Sequence, residues 1–291
     1  MSQEYPMWMS IKEKMITKHN GEYNLLFIGD SRAKTGLIPQ EFDSHKIKTL
    51  NLSIGGGTPI EGYYSLKYYL ENNSAKSLEY LLISYAPFHL MFQDSYWNRT
   101  VRFDFLAQED YKEVIKTASK LKDYSTLGDI NSQKSDVYTG KYLIEFIKGM
   151  ALMRWKTNKE VLMHLETSQG HYFFGRNDRA LTLNQETGFE TFQVSQLLDT
   201  YFRMMVDLAR QNNIKVFYYT MPFSQLSYHK TTPKFINAYN TYIETFVQKY
   251  GMVNLNTLNF CDDSYFGDAS HLYKGSRAIT SELRSKVLDH L

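Results

Sequence analysis

A single cysteine, Cys261, stands in 291 residues, so no disulfide can close within the chain. No Cys-x-x-Cys or His-Glu-x-x-His string marks a metal site, so no metal or other cofactor is expected and the lone thiol reads as packing. A surplus of one charge is also missing. The 33 basic and 31 acidic residues leave a formal +2, which offers no electrostatic footprint for nucleic acid and no polybasic tract. No uninterrupted apolar run approaches the roughly 20 residues of a membrane-spanning helix, and Met1 to Pro6 has no basic region leading into one. Internal repeats, low-complexity tracts and an obvious interdomain linker are likewise missing.

What remains is ample material for a core: 43% of the residues are hydrophobic and 15% aromatic. Short apolar runs recur at Leu25 to Ile28, Thr49 to Ile54, Tyr80 to Tyr85, Val216 to Thr220 and Met252 to Leu255. Their hydrophobicity is continuous rather than alternating, as in strands covered on both faces of a parallel sheet. Three- and four-residue apolar spacing predicts helices at about Glu61 to Glu71, Ser195 to Asn212, Thr232 to Tyr250 and Lys274 to Leu291. The expected fold is therefore one α/β domain over residues 1–291, a three-layer α/β/α sandwich with about five parallel strands. More than a hundred residues separate the third and fourth runs, too many for an ordinary crossover. This predicts a mainly helical insertion at about 92–191, with helical patterns at Glu109 to Lys122 and Asp136 to Lys156. A loop carrying Gly170, His171, Gly175, Asn177, Asp178 and Asn184 follows. Leaving the third strand at its carboxyl end, such an insertion can form a lid or an acceptor groove.

Two segments near the ends of the chain carry the chemistry. Gly29-Asp30-Ser31 follows the first apolar run, so Ser31 is expected where a buried strand gives way to a helix, beside free backbone N–H groups. Asp268-Ala269-Ser270-His271 precedes the last helix, and its three-residue spacing lets one short loop hold both side chains. A serine hydroxyl is a poor nucleophile until an imidazole takes its proton and a carboxylate fixes that imidazole's tautomer. A third segment, Asn51 to Thr58, ends the second strand in Gly55-Gly56-Gly57, whose bare N–H groups suit an oxyanion. Each has a plainer reading: Ser31 as a helix cap, the glycines as a tight turn, Asp268 as a cap with His271 solvated beside it.

In the order Gly-Asp-Ser, Asn-x-x-x-Gly, Asp-x-x-His before a terminal helix, the three segments resemble the SGNH (GDSL-type) hydrolase superfamily over the sheet core, with the insertion unmatched. The resemblance implies Ser31 as nucleophile, His271 as general base and Asp268 as its orienting acid. It also implies the Ser31 amide and Gly55 or Gly56 as oxyanion-hole donors. One block departs from the pattern. The superfamily's third block usually carries an asparagine donor in Gly-x-Asn-Asp, whereas here the third strand runs Ile83-Ser84-Tyr85-Ala86-Pro87-Phe88-His89. That departure, the signature from Gly29 to Pro39 and the long insertion resemble the branch that O-acetylates cell-surface polysaccharides such as alginate, peptidoglycan, cellulose or teichoic acids. The resemblance implies a polysaccharide acceptor, and an acetyl donor supplied through a membrane-bound O-acyltransferase partner. It also implies an extracytoplasmic or cell-surface location, with any anchor of the full-length protein outside this chain. The alternatives are a carbohydrate esterase that removes acetyl groups with the same residues, and a non-catalytic polysaccharide-binding or assembly subunit.

Among the remaining polar residues, Arg32 either pairs with a carboxylate, contacts substrate or, as the plainer reading, lies on the surface of the first helical turn. His89 and His171 are loop histidines that can line the cleft or simply be solvated, and most of the 23 tyrosines read as packing. A phosphate-binding reading of Ser31 to Gly36 leaves Asp268 and His271 unexplained and has no Walker ending.

Overall fold

The computed structural model describes residues 5–20, 22–73, 77–91, 97–127, 147–173, 175–176 and 190–291. Five parallel strands form the central sheet: β1 (Leu25–Gly29), β2 (Thr49–Asn51), β3 (Tyr80–Ser84), β4 (Lys215–Tyr218) and β6 (Val253–Asn254), in the order β2-β1-β3-β4-β6. The register pairs Phe27 with Asn51 on one side and with Leu82 on the other. A separate two-stranded parallel pair joins β5 (Phe223–Ser224) to β7 (Phe260–Cys261).

Alternate side chains of each strand enter two different cores, which is why the apolar runs do not alternate with polar residues. Leu26, Ile28, Leu81, Ile83, Val216 and Tyr218 join one buried cluster, while Leu25, Phe27, Leu82 and Phe217 join the other. The first cluster is covered by α1 (Tyr5–Ile16), α3 (Pro59–Asn72), α6 (Gln108–Leu121), α8 (Gln196–Gln211) and α10 (Pro233–Tyr250). The second is covered by α2 (Ser31–Gly36) and α11 (Ser276–Leu288). This α/β arrangement is compatible with a three-layer α/β/α sandwich.

Between β3 and β4 come α4 (Phe88–Met91), α5 (Trp97–Arg102), α6 and α7 (Arg154–Thr167), and α9 (Gln225–His229) follows β5. The helix expected at Asp136 to Lys156 falls partly outside the described residues. Its described part is helical over 147–151 and then turns at Met153, which takes φ 49° before α7 begins. Asn177, Asp178 and Asn184 of the expected loop also lie outside the described residues. Among the described residues no helix is long and apolar enough to cross a membrane.

The chain runs from β1 to β2 on one side and then crosses to β3 on the other, with α2 and α3 on opposite faces. The carboxyl end of β1 is thus a topological switch point, where open parallel sheets leave a crevice. Ser31 sits there.

Candidate active site

Gly29 ends β1 so close to β3 that a Cβ would lie 2.0 Å from the Ser84 carbonyl oxygen, which excludes a side chain at that turn. Asp30 follows as the N-cap of α2, fully buried, with each carboxylate oxygen committed to a backbone amide. Oδ1 accepts from Arg32 N–H at 2.8 Å and Oδ2 from Ala86 N–H at 2.7 Å. The carboxylate therefore ties the helix that begins with Ser31 to the loop after β3, and Ser31 is left partly exposed at the helix start.

The other half of the site is a loop pinched at its base. Phe266 and Leu272 form an isolated antiparallel bridge, and Gly267 N–H donates to the His271 carbonyl at 2.8 Å. Inside it, Asp268 Oδ1 accepts the amides of Ser270 and His271 at 2.8 and 2.7 Å. Its Oδ2 lies 2.8 Å from His271 Nδ1, and His271 Nε2 lies 2.8 Å from Ser31 Oγ. A carboxylate can only accept, so Nδ1 carries the proton and Nε2 is left to accept from the serine hydroxyl. Burial alone would raise the Asp268 carboxyl, but the His271 ring and the two amides outweigh it and hold the group below the ordinary carboxylate value. Residues 240 positions apart thus form one hydrogen-bonded chain that can draw a proton from a hydroxyl.

The glycine segment lies beside them. Ile54 N–H donates to the Gly29 carbonyl at 3.0 Å, and Gly57 N–H closes a turn on Ile54 O at 2.9 Å. Gly56 takes φ 67° at the third position of that turn, a conformation that favours glycine. Among the described residues the amides of Gly55 and Gly56 are not used in the fold's hydrogen bonds. Asn51 is committed elsewhere. Its Nδ2 donates to the carbonyls of Ala33 and Leu37 at 3.1 and 3.2 Å, fastening α2 to β2.

Arg32 is not on the surface. It is 2% exposed, with its guanidinium 4.8 Å from the Phe223 ring centre and 5.8 Å from that of Phe88, and Nη1 donates to Pro222 O at 3.3 Å. Burial draws its pKa down to about 10, against the attraction of Asp30 and Asp268. Neither histidine is solvated. His89 is buried on α4, with Nε2 3.7 Å from Asp30 Oδ2. His171 is buried beside Lys34, and burial first, then the Lys34 charge, lowers it to about 4.

The insertion comes back to this site, through contacts that no sequence pattern announced. Gln169 O accepts from Asn51 N–H at 2.9 Å, Lys34 Nζ donates to Gly170 O at 2.9 Å, and Tyr172 N–H donates to Lys34 O at 3.1 Å. Gly170, at φ 91°, packs so closely that a Cβ would meet Asn51 O at 2.1 Å. Residues 169–172 therefore wall the β2 side of α2. On the other side Tyr85 donates its hydroxyl to Thr58 O at 3.1 Å, through space that Gly62 leaves free. Among the described residues no group of His, Cys, Asp and Glu side chains could hold a metal ion. Protein-family models give no match to the chain, and no curated protein is significantly similar to it in sequence.

Proposed function

We propose that the protein is a serine-dependent O-acyltransferase that carries an acetyl or similar short acyl group on Ser31 and delivers it to a carbohydrate hydroxyl. The observation that supports this reading most is the Ser31–His271–Asp268 chain of two 2.8 Å contacts at the switch point of the sheet. The resemblance of the three sequence segments to SGNH enzymes, and within them to polysaccharide O-acetyltransferases, supports it as well.

In this mechanism Ser31 Oγ attacks the acyl carbonyl carbon while His271 Nε2 takes the hydroxyl proton. Asp268 holds Nδ1–H and stabilises the imidazolium that forms. The carbonyl oxygen becomes an oxyanion facing the Ser31 amide and the unused amides of Gly55 and Gly56; one such donor is worth about 3 kcal/mol of barrier. His271 returns the proton to the leaving group, and the acyl group stays on Ser31 Oγ. His271 Nε2 then takes the proton of an incoming sugar hydroxyl, whose oxygen attacks the acyl carbon; the bond from that carbon to Ser31 Oγ breaks, and His271 returns the proton to Ser31 Oγ as the acylated sugar leaves. Water in place of the sugar makes the same residues an esterase.

The test is acceptor dependence. With p-nitrophenyl acetate as donor, p-nitrophenol release is expected to be slow in buffer and faster with an oligosaccharide, and acetylated sugar should appear by mass spectrometry. Deacetylation outpacing transfer for cellulose, peptidoglycan and alginate oligomers alike would replace the transferase with the esterase.

A further inference from the structure

Away from Ser31, the insertion exposes a dense apolar patch. Ile147, Met150, Leu152, Met153, Trp155 and Met163 are each between 44% and 63% exposed, within seventeen positions. Exposed apolar residues scattered singly need no explanation, but a run of this density does. The patch sits where the helical 147–151 stretch turns at Met153 into α7. From position 147 to 163 the chain carries Lys148, Arg154, Lys156 and Lys159 against one acidic residue, Glu160. Lys156 Nζ lies 5.4 Å above the Trp155 ring, which keeps an ammonium at the margin of the apolar side chains.

We infer that residues 147–163 seat on an anionic phospholipid surface, with Ile147, Met150, Leu152, Met153 and Trp155 entering the acyl boundary and the basic side chains meeting the phosphates. Apolar side chains, a tryptophan and basic stems that reach outward match the two layers of a bilayer interface. The basic excess selects a negative surface, at about 1 kcal/mol per basic residue near it. Among the described residues no helix is long and apolar enough to cross a membrane. Helix α7 leads into the 169–172 wall, so the contact ties the lipid surface to the segment that borders α2. This inference stands independently of the acyl-transfer reading.

The experiment uses the whole chain with vesicles of phosphatidylglycerol mixed into phosphatidylcholine, followed by co-sedimentation and tryptophan emission. Trp8 and Trp97 are 1% and 3% exposed, so Trp155 carries the spectral response. The chain should sediment with anionic vesicles and its emission should shift to the blue. Binding should be about a hundred-fold weaker on pure phosphatidylcholine and should fall with added salt. The paired variants Leu152→Ser with Met153→Ser, and Lys156→Glu with Lys159→Glu, change exposed positions. Each should lose binding at least about ten-fold while circular dichroism and p-nitrophenyl acetate turnover stay unchanged. Failure of the wild type to bind anionic vesicles, equal binding to pure phosphatidylcholine, or undiminished binding by the serine pair overturns the inference. So does a dimer in sedimentation that the serine pair dissolves, which would make the patch a contact between copies.

Discussion

The buried Asp30 carboxylate accepts the Ala86 amide at 2.7 Å, so the residue that precedes Ser31 is fastened to the loop that follows the neighbouring strand. Its other oxygen caps α2 through Arg32 N–H. The position of the serine hydroxyl thus depends on a fully buried side chain.

Asp30→Asn tests this dependence. An amide side chain has one acceptor oxygen where the carboxylate has two, so one of the two backbone N–H groups must face an NH2 group. A buried donor left unsatisfied costs about 1 to 3 kcal/mol. The variant should melt several degrees lower and turn over p-nitrophenyl acetate at a clearly reduced rate. Unchanged melting and unchanged turnover would mean that the Ala86 contact holds nothing in place.

The reacting residues should fail as a unit. Ser31→Ala and His271→Ala are each expected to lower turnover about a thousand-fold or more, and the double variant to be no worse than either, since neither residue works without the other. Asp268→Asn should retain about ten- to a hundred-fold more activity than these, because it disturbs the ring's tautomer and orientation without removing the base. Ser31 is partly exposed, so Ser31→Ala should leave the melting temperature unchanged. Independent, additive losses in the double variant would contradict a shared proton relay.

Which of these features the sequence carried, and which it did not, follows from the range of the interactions. Strands buried on both faces betray themselves by unbroken apolar runs, so Leu25 to Ile28 and Tyr80 to Tyr85 pointed to β1 and β3 to within a residue. The capped helices were similarly local: Thr232 caps α10 and Ser195 caps α8. Helix α1 was missed although Trp8, Ile11 and Met15 carry the three- and four-residue spacing that would have found it. The Ser31, Asp268 and His271 segments were legible because each holds its residue by local bonds, a cap or a tight loop. Arg32 was not, because its burial is decided by Phe223, Phe88 and Pro222, which come together only in the folded chain. Asn51 had a recognisable place in a motif, yet its bonds to Ala33 and Leu37 give it a fastening role the motif does not spell out.

Lys34 makes stability depend on pH in a definite direction. Burial first, then the neighbouring Lys14, brings its pKa from 10.5 down to about 7. Between those values the unfolded chain holds the proton and the folded chain does not, so this group's contribution to stability rises with pH across that window. Below about 7 the folded protein carries a buried ammonium whose hydrogen-bond partner among the described residues is Gly170 O, at a cost bounded by about 5 kcal/mol. Lys34→Met removes that cost and also the bond to the insertion. In urea unfolding at pH 6 and pH 9.5, the variant should therefore compare most favourably with the wild type at pH 6 and lose ground at pH 9.5. A stability difference that stays constant between the two pH values would show that Lys34 does not titrate in this window.

In the proposed mechanism Ser31 Oγ becomes the acyl carrier through His271. That step is tested most directly by quenching the protein in acid within the first turnover with p-nitrophenyl acetate, digesting it and locating the acetyl group by mass spectrometry. The expected result is one acetyl group on the peptide containing Ser31, formed by the wild type, absent from Ser31→Ala and strongly reduced in His271→Ala. Turnover with no acetyl on Ser31, or undiminished turnover by Ser31→Ala, would contradict it.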